Sequence, residues 1–135
     1  MGVGLPPRGA VLVVIGVGID SIEIARVAQA IRKSPRLRER LFTEAELAQL
    51  PGGGRAWSRL AALFAAKEAV FKALGTGLVG HSWQQVEVLH GPGGEPGVNL
   101  VAEAAATAAR RGIRRLHISL SHDRERATAI CIGEG

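Results

Sequence analysis

A chain of 135 residues, 47% hydrophobic and 21% charged, has the length and composition of one ordinary globular domain that buries a core without staples. Its 17 Lys and Arg against 12 Asp and Glu leave a formal charge of +5, which favours an anionic partner. No apolar run approaches the ~20 residues a membrane helix needs, the single cysteine rules out an internal disulfide and fits a reducing compartment, and three Phe, two Trp and no Tyr argue against a stacking platform for single-stranded nucleic acid.

Residues 1–10 (MGVGLPPRGA) read as a flexible leader without the charged start of a signal peptide, and residues 11–135 as one domain. Val11–Ile19 is nearly continuous β-branched apolar sequence, the pattern of a strand buried on both faces. Asp20 and Glu23 have the spacing of a capping box, which predicts a helix through "SIEIARVAQAIRK". A basic link, "SPRLRERL", follows, and then a second capping box, Thr43 and Glu46, opening a short helix that stops near "LPGGG". A long helix is predicted over 58–74, ended by Gly75 and Gly77. "WQQVEVLHGPGGEPGVNL" reads as a hairpin, 103–111 as an alanine-rich helix stopped by Gly112, and "LHISLSHDRERATAICI" as a second hairpin with Cys131 a small core residue. The order β-α-α-α-β-β-α-β-β predicts an α+β fold, with helices packed on a mostly antiparallel sheet.

The long helix carries the unusual charges. At about 100° per residue from Leu60, Lys67 falls at about −20°, inside the apolar arc, while Glu68 and Lys72 lie one turn apart on its border at about 80° and 120°. Alanines at 61, 62, 65, 66, 69 and 73 fill most of the rest, as in a helix buried nearly all round, where every charge needs a partner. An ordinary i,i+4 pair between Glu68 and Lys72, with Lys67 snorkelling to water, is the bland account. Three charges clustered on one sector of the helix point instead to a metal-bound phosphate: Glu68 for a hard cation, Lys67 and Lys72 for phosphate oxygens. Asp20, at a strand end, is the candidate second oxygen ligand, with a helix N-cap as its alternative role.

"VGID" (Val17–Asp20) followed by "FAAKEAVFK" (Phe64–Lys72) resembles the paired signature of the 4′-phosphopantetheinyl transferases. With "GTG" after the helix and "SLSHD" (Ser119–Asp123) near the end, the chain from Val14 to Ile132 resembles the bacterial holo-[acyl-carrier-protein] synthase branch. The resemblance implies transfer of the phosphopantetheine arm of coenzyme A onto a serine of an acidic apo acyl carrier protein, with release of adenosine 3′,5′-bisphosphate, in cytoplasmic fatty-acid and lipid biosynthesis. It implies Mg²⁺ held by Asp20 and Glu68, Lys67 and Lys72 beside the diphosphate, and Gly75 and Gly77 where the chain nears the nucleotide. His122 matches a histidine of the coenzyme A site, implicated in catalysis together with Asp123. Lys72 would stabilise charge on the leaving group, and the serine proton would go to Glu68, to a water on the metal, or to the His122/Asp123 turn. Arg26, with Arg32 and Arg36 on the same basic stretch, would dock the carrier, and the implied assembly is a homotrimer with sites between subunits. Neither nucleic acid nor membrane is an expected partner. Leu63 stands where bacterial relatives commonly carry arginine, and Arg55 or Arg59 is the substitute the sequence offers. Two other readings compete: a small basic nucleic-acid binder, and a non-catalytic docking module for acidic carriers.

Overall fold

A strand and a helix that touch backbone to backbone organise the chain. The computed structural model describes residues 11–78 and 80–135, so the leader expected over 1–10 lies outside the described residues. The strand is β1 (Val14–Glu23), antiparallel to β5 (Arg126–Glu134), which pairs in turn with β4 (Arg115–His122), giving the sheet order β1-β5-β4. Between them in sequence come α1 (Ile24–Lys33), α2 (Leu37–Leu41), α3 (Glu44–Ala48) and the long α4 (Arg55–Leu74). A 3-10 turn (Trp83–Gln85), the hairpin of β2 (Val86–His90) and β3 (Pro96–Leu100), and α5 (Ala102–Arg110) complete the fold.

Helix α4 lies across the inner face of the three-stranded sheet because both surfaces are built of very small residues. A Cβ on Gly16 would stand 1.9 Å from the carbonyl oxygen of Ala73, and one on Gly18 1.9 Å from that of Ala69. Buried Ala127, Ala129 and Cys131 continue this floor on β5, under the buried alanines of α4. Burial pushes the Cys131 thiol up to about 12, as expected of a core residue rather than a nucleophile. The large apolar side chains of α4, Leu60, Leu63, Val70, Phe71 and Leu74, pack with Phe42, Val86 and Val88 in the same core.

The α+β class and both hairpins are as expected, with the paired strands divided between a three-stranded sheet and a separate hairpin. The capping box Thr43–Glu46 is present in both directions. The proposed cap at Asp20 is not. Ser21, Ile22 and Glu23 pair with Thr128, Ala127 and Arg126, so strand pairing extends β1 past Asp20, and α1 begins at Ile24 with its first N–H donating to the Glu125 carbonyl, 2.8 Å. The basic link contains α2, and α4 starts three residues before the predicted position. Most consequentially, β1 is covered on one face only: Val17 and Ile19 on its outer face are 55% and 59% exposed, and Ile130 beside them on β5 is 36% exposed.

Replacing Gly18 by Ala forces a methyl into the Ala69 carbonyl and within 2.8 Å of the Lys72 Cβ. Since the obstacle is backbone, we expect Gly18→Ala to cost at least ~3 kcal/mol of unfolding free energy, read from denaturant titration.

Candidate active site

Asp20 faces α4 directly across the glycine contact. Lys72 Nζ donates to Asp20 Oδ1 at 3.2 Å and to the Ile19 carbonyl at 2.8 Å. One turn earlier on α4, Glu68 lines the same cleft of about 460 Å³ as Asp20, together with Arg26, Phe64 and Trp83. Burial raises the affinity of the Glu68 carboxyl for its proton, and the charge of Asp20 raises it further, against opposing pulls from Lys72 and Arg26. Asp20 and Glu68, 48 positions apart in sequence, are therefore electrostatic neighbours, brought together by the close seating of α4 on β1.

Lys67 is not part of this cleft. It is fully buried, its Nζ 2.8 Å from Glu46 Oε1 and donating to the carbonyls of Trp83, at 3.1 Å, and Val86. Burial lowers its proton affinity, while the charge and hydrogen bond of Glu46 oppose that shift. The expectation that Lys67 meets phosphate is corrected on this geometry: its three ammonium protons are already matched by three protein acceptors.

His122 lines a different cavity, of about 410 Å³, with Arg55, Ser58, Arg59, His90 and Gly94. Two guanidinium groups, two imidazoles and no carboxylate make it an anion-receiving pocket. Arg59 Nη1 stands 3.5 Å from His90 Nδ1, and burial followed by the charge of Arg59 lowers the proton affinity of His90. Arg55 and Arg59 thus point to the cavity, while Leu63 is buried in the core. Asp123 sits in the exposed β4–β5 turn, where its Oδ1 accepts from the N–H groups of Glu125 and Arg126 at 2.8 Å each. Those bonds hold its carboxyl below the usual aspartate value and leave it the shape of a turn residue. Gly75, at φ +81°, ends α4 and makes room for the Arg111 guanidinium, which donates to the Leu74 carbonyl at 2.9 Å; Gly77, at φ +57°, has open space around it. Arg26 is exposed at the mouth of the Asp20 cleft, Arg32 lies 4.9 Å over the ring of Trp57, and Arg36 is exposed at the start of α2. Reading the sequence missed His90, which shows no periodicity or motif, and the partnership of Glu46 with Lys67, which spans 21 positions.

The chain matches the family model of the 4′-phosphopantetheinyl transferase superfamily over residues 16–131. It is 47% identical over 123 residues to the holo-[acyl-carrier-protein] synthase of Desulforudis audaxviator (strain MP104C), covering 90% of this chain and 94% of that one. Among solved structures it resembles the holo-(acyl-carrier-protein) synthase of Bacillus anthracis str. Ames in complex with CoA (3′,5′-ADP), with a TM-score of 0.74 and 34% identity over 90% of this chain and 97% of that one. It also resembles the holo-[acyl-carrier-protein] synthase of Neisseria meningitidis, with a TM-score of 0.79 and 29% identity over 91% of this chain and all 100% of that one.

The raised proton affinity of Glu68 has a sign that can be checked. A carboxyl whose folded pKa exceeds its unfolded value costs no stability below the unfolded value and increasingly destabilises the fold as pH rises towards the folded one. In metal-free buffer at pH 7 we expect Glu68→Gln to melt higher than the wild-type protein, and the difference to vanish in acid below the ordinary carboxylate range.

Proposed function

The chain belongs to the 4′-phosphopantetheinyl transferase superfamily, and from that premise we propose that it transfers the 4′-phosphopantetheine group of coenzyme A to a serine of an apo acyl carrier protein, releasing adenosine 3′,5′-bisphosphate. The observation that carries this reading is the convergence of Asp20 and Glu68 in one cleft, with Lys72 hydrogen-bonded to Asp20.

A hard divalent cation fits the two carboxylates. The cleft lining offers carboxylate oxygens without His or Cys, and a cation relieves the repulsion that Asp20 exerts on Glu68. Two carboxylates would leave coordination positions for water and substrate oxygens, as suits Mg²⁺. When bound between Asp20 and Glu68, Mg²⁺ supplies Lewis-acid neutralisation of the diphosphate. Lys72, half exposed and using two of its protons on Asp20 and Ile19, keeps one for a phosphate oxygen and stabilises the charge that moves onto the leaving group. Of the proton acceptors left open by the sequence, Asp123 is the poorest, since turn amides hold it ionised. Glu68 is the base this chain offers inside the cleft; His122 lines the other pocket.

The linings of the two pockets share no residue. We read them as halves of two sites, completed when the outer sheet face packs against further copies of the chain in a homotrimer: the Asp20 cleft of one copy beside the His122 pocket of the next, which takes the phosphate-bearing nucleotide end of coenzyme A. The uncovered Val17, Ile19 and Ile130, on a strand whose sequence calls for burial on both sides, support that assembly. Exposed Arg26 presents positive charge at the cleft to an acidic carrier, and exposed Arg32 and Arg36 extend the basic stretch that would dock it. No helix among the described residues is long and apolar enough to cross a membrane; a cytoplasmic role in fatty-acid biosynthesis is our reading of the chemistry.

Mass spectrometry of an apo carrier protein incubated with coenzyme A and Mg²⁺ tests the reaction. A mass gain of one phosphopantetheine is expected with the wild-type chain, reduced at least ~100-fold in Asp20→Ala and Glu68→Ala; no gain with any acidic carrier overturns the proposal. Coexpression of Asp20→Ala and His122→Ala chains tests the shared site. With equal mixing, about one interface in four joins two intact halves, so roughly a quarter of wild-type activity should return. If the mixture stays as inactive as its parents, each site lies within one copy.

A further inference from the structure

Lys67 and Glu68 are adjacent in sequence but serve different sides of α4, about 100° apart, and the reaction above uses only Glu68. The contact made by Lys67 is nevertheless buried and bonded on both sides. Lys67 and Glu46 are both fully buried, 2.8 Å apart. Beyond Lys67, Glu46 Oε1 accepts from the Thr43 N–H at 2.8 Å and Oε2 from the Val88 N–H at 2.8 Å, while Lys67 donates to the carbonyls of Trp83 and Val86. One ion pair thereby fastens three separate pieces, α3, the 3-10 turn and β2, to the middle of α4. Apolar packing alone would let those pieces slide; directional bonds to four backbone groups do not.

The piece held at Trp83 is a wall of the Asp20 cleft. The Trp83 ring lines it with Phe64 and Glu68, its centroid 4.9 Å from that of Phe64 and 5.9 Å from that of Phe71. The backbone carbonyl of the same residue is the Lys67 acceptor. We infer that Lys67 is a positioning residue for phosphopantetheine transfer, acting through Glu46 and the Trp83 turn to hold the cleft wall at a fixed distance from Glu68. It touches neither phosphate nor metal, and its contribution is to orientation of the incoming serine rather than to binding of coenzyme A.

This inference rests on the transferase reading, so the wild-type chain must first modify a carrier; failure there removes that reading and leaves the geometry of Lys67 untouched. With that established, steady-state kinetics of Lys67→Met, normalised to folded protein by circular dichroism, separates the roles. The expected result is a coenzyme A KM within about twofold of wild type and a kcat lower by about tenfold or more, with a raised KM for the carrier. In a Trp57→Phe background, which leaves Trp83 as the sole tryptophan, the same substitution should shift the emission of the free enzyme. A kcat within twofold of wild type would make the pair a purely structural one and overturn the inference. A coenzyme A KM raised tenfold at unchanged kcat would restore Lys67 as a phosphate ligand and overturn it equally. Should Lys67→Met fail to fold, Glu46→Gln, which keeps the shape and removes the charge, carries the same test with the same outcomes.

Discussion

Everything at the candidate site depends on how closely α4 can approach β1. With no side chain at Gly16 or Gly18, the helix backbone rests on the strand backbone, its carbonyls where Cβ atoms would otherwise be. Dispersion contacts fall off steeply with distance, so a floor of Gly and Ala gains much from small separation and loses much from one extra methyl. The approach also sets the chemistry, because Asp20, two residues beyond Gly18 on the strand, then sits against Lys72 and within the electrostatic reach of Glu68.

Packing so tight leaves few places for charge, and the helix sorts its charged residues by what each can reach. Lys67 turns towards α3 and the hairpin, where a carboxylate and two carbonyls replace its lost water. Glu68 and Lys72 stay at the border, partly solvated, where a ligand can compete for them. A buried cation with every proton matched holds structure in place, and a border carboxylate whose ionisation is opposed by its surroundings is poised for a cation. The difference between the two fates is one residue along the chain and about 100° around the axis.

The outer face of the sheet carries the opposite imbalance. Val17, Ile19 and Ile130 are apolar and uncovered, while the polar machinery is split between a carboxylate cleft and a cationic pocket. The acid pair lies in one pocket, and Arg55, Arg59, His90 and His122 lie in the other. A second copy laid on the apolar face would answer both deficits at once, removing apolar area from water and juxtaposing the halves.

Much of this was legible in the primary structure. Periodicity and glycine punctuation identify the long helix, the two hairpins and the Thr43–Glu46 capping box, since these depend on neighbours a few residues apart. The charge-bearing sector of α4 and the acid that follows the apolar run Val11–Ile19 were equally visible, because charge beside alanine-rich or apolar sequence is conspicuous wherever it folds. Three things were decided only by the tertiary structure. Asp20 proved to be a strand residue because pairing with Ala129 and its neighbours outweighed a local cap. Lys67 left the site because its partner, Glu46, lies on another helix. His90 entered the second pocket because a hairpin brought it beside Arg59. Local sequence encodes propensity and pattern, whereas the partner of a buried charge is chosen by whichever distant segment the packing brings within hydrogen-bonding reach.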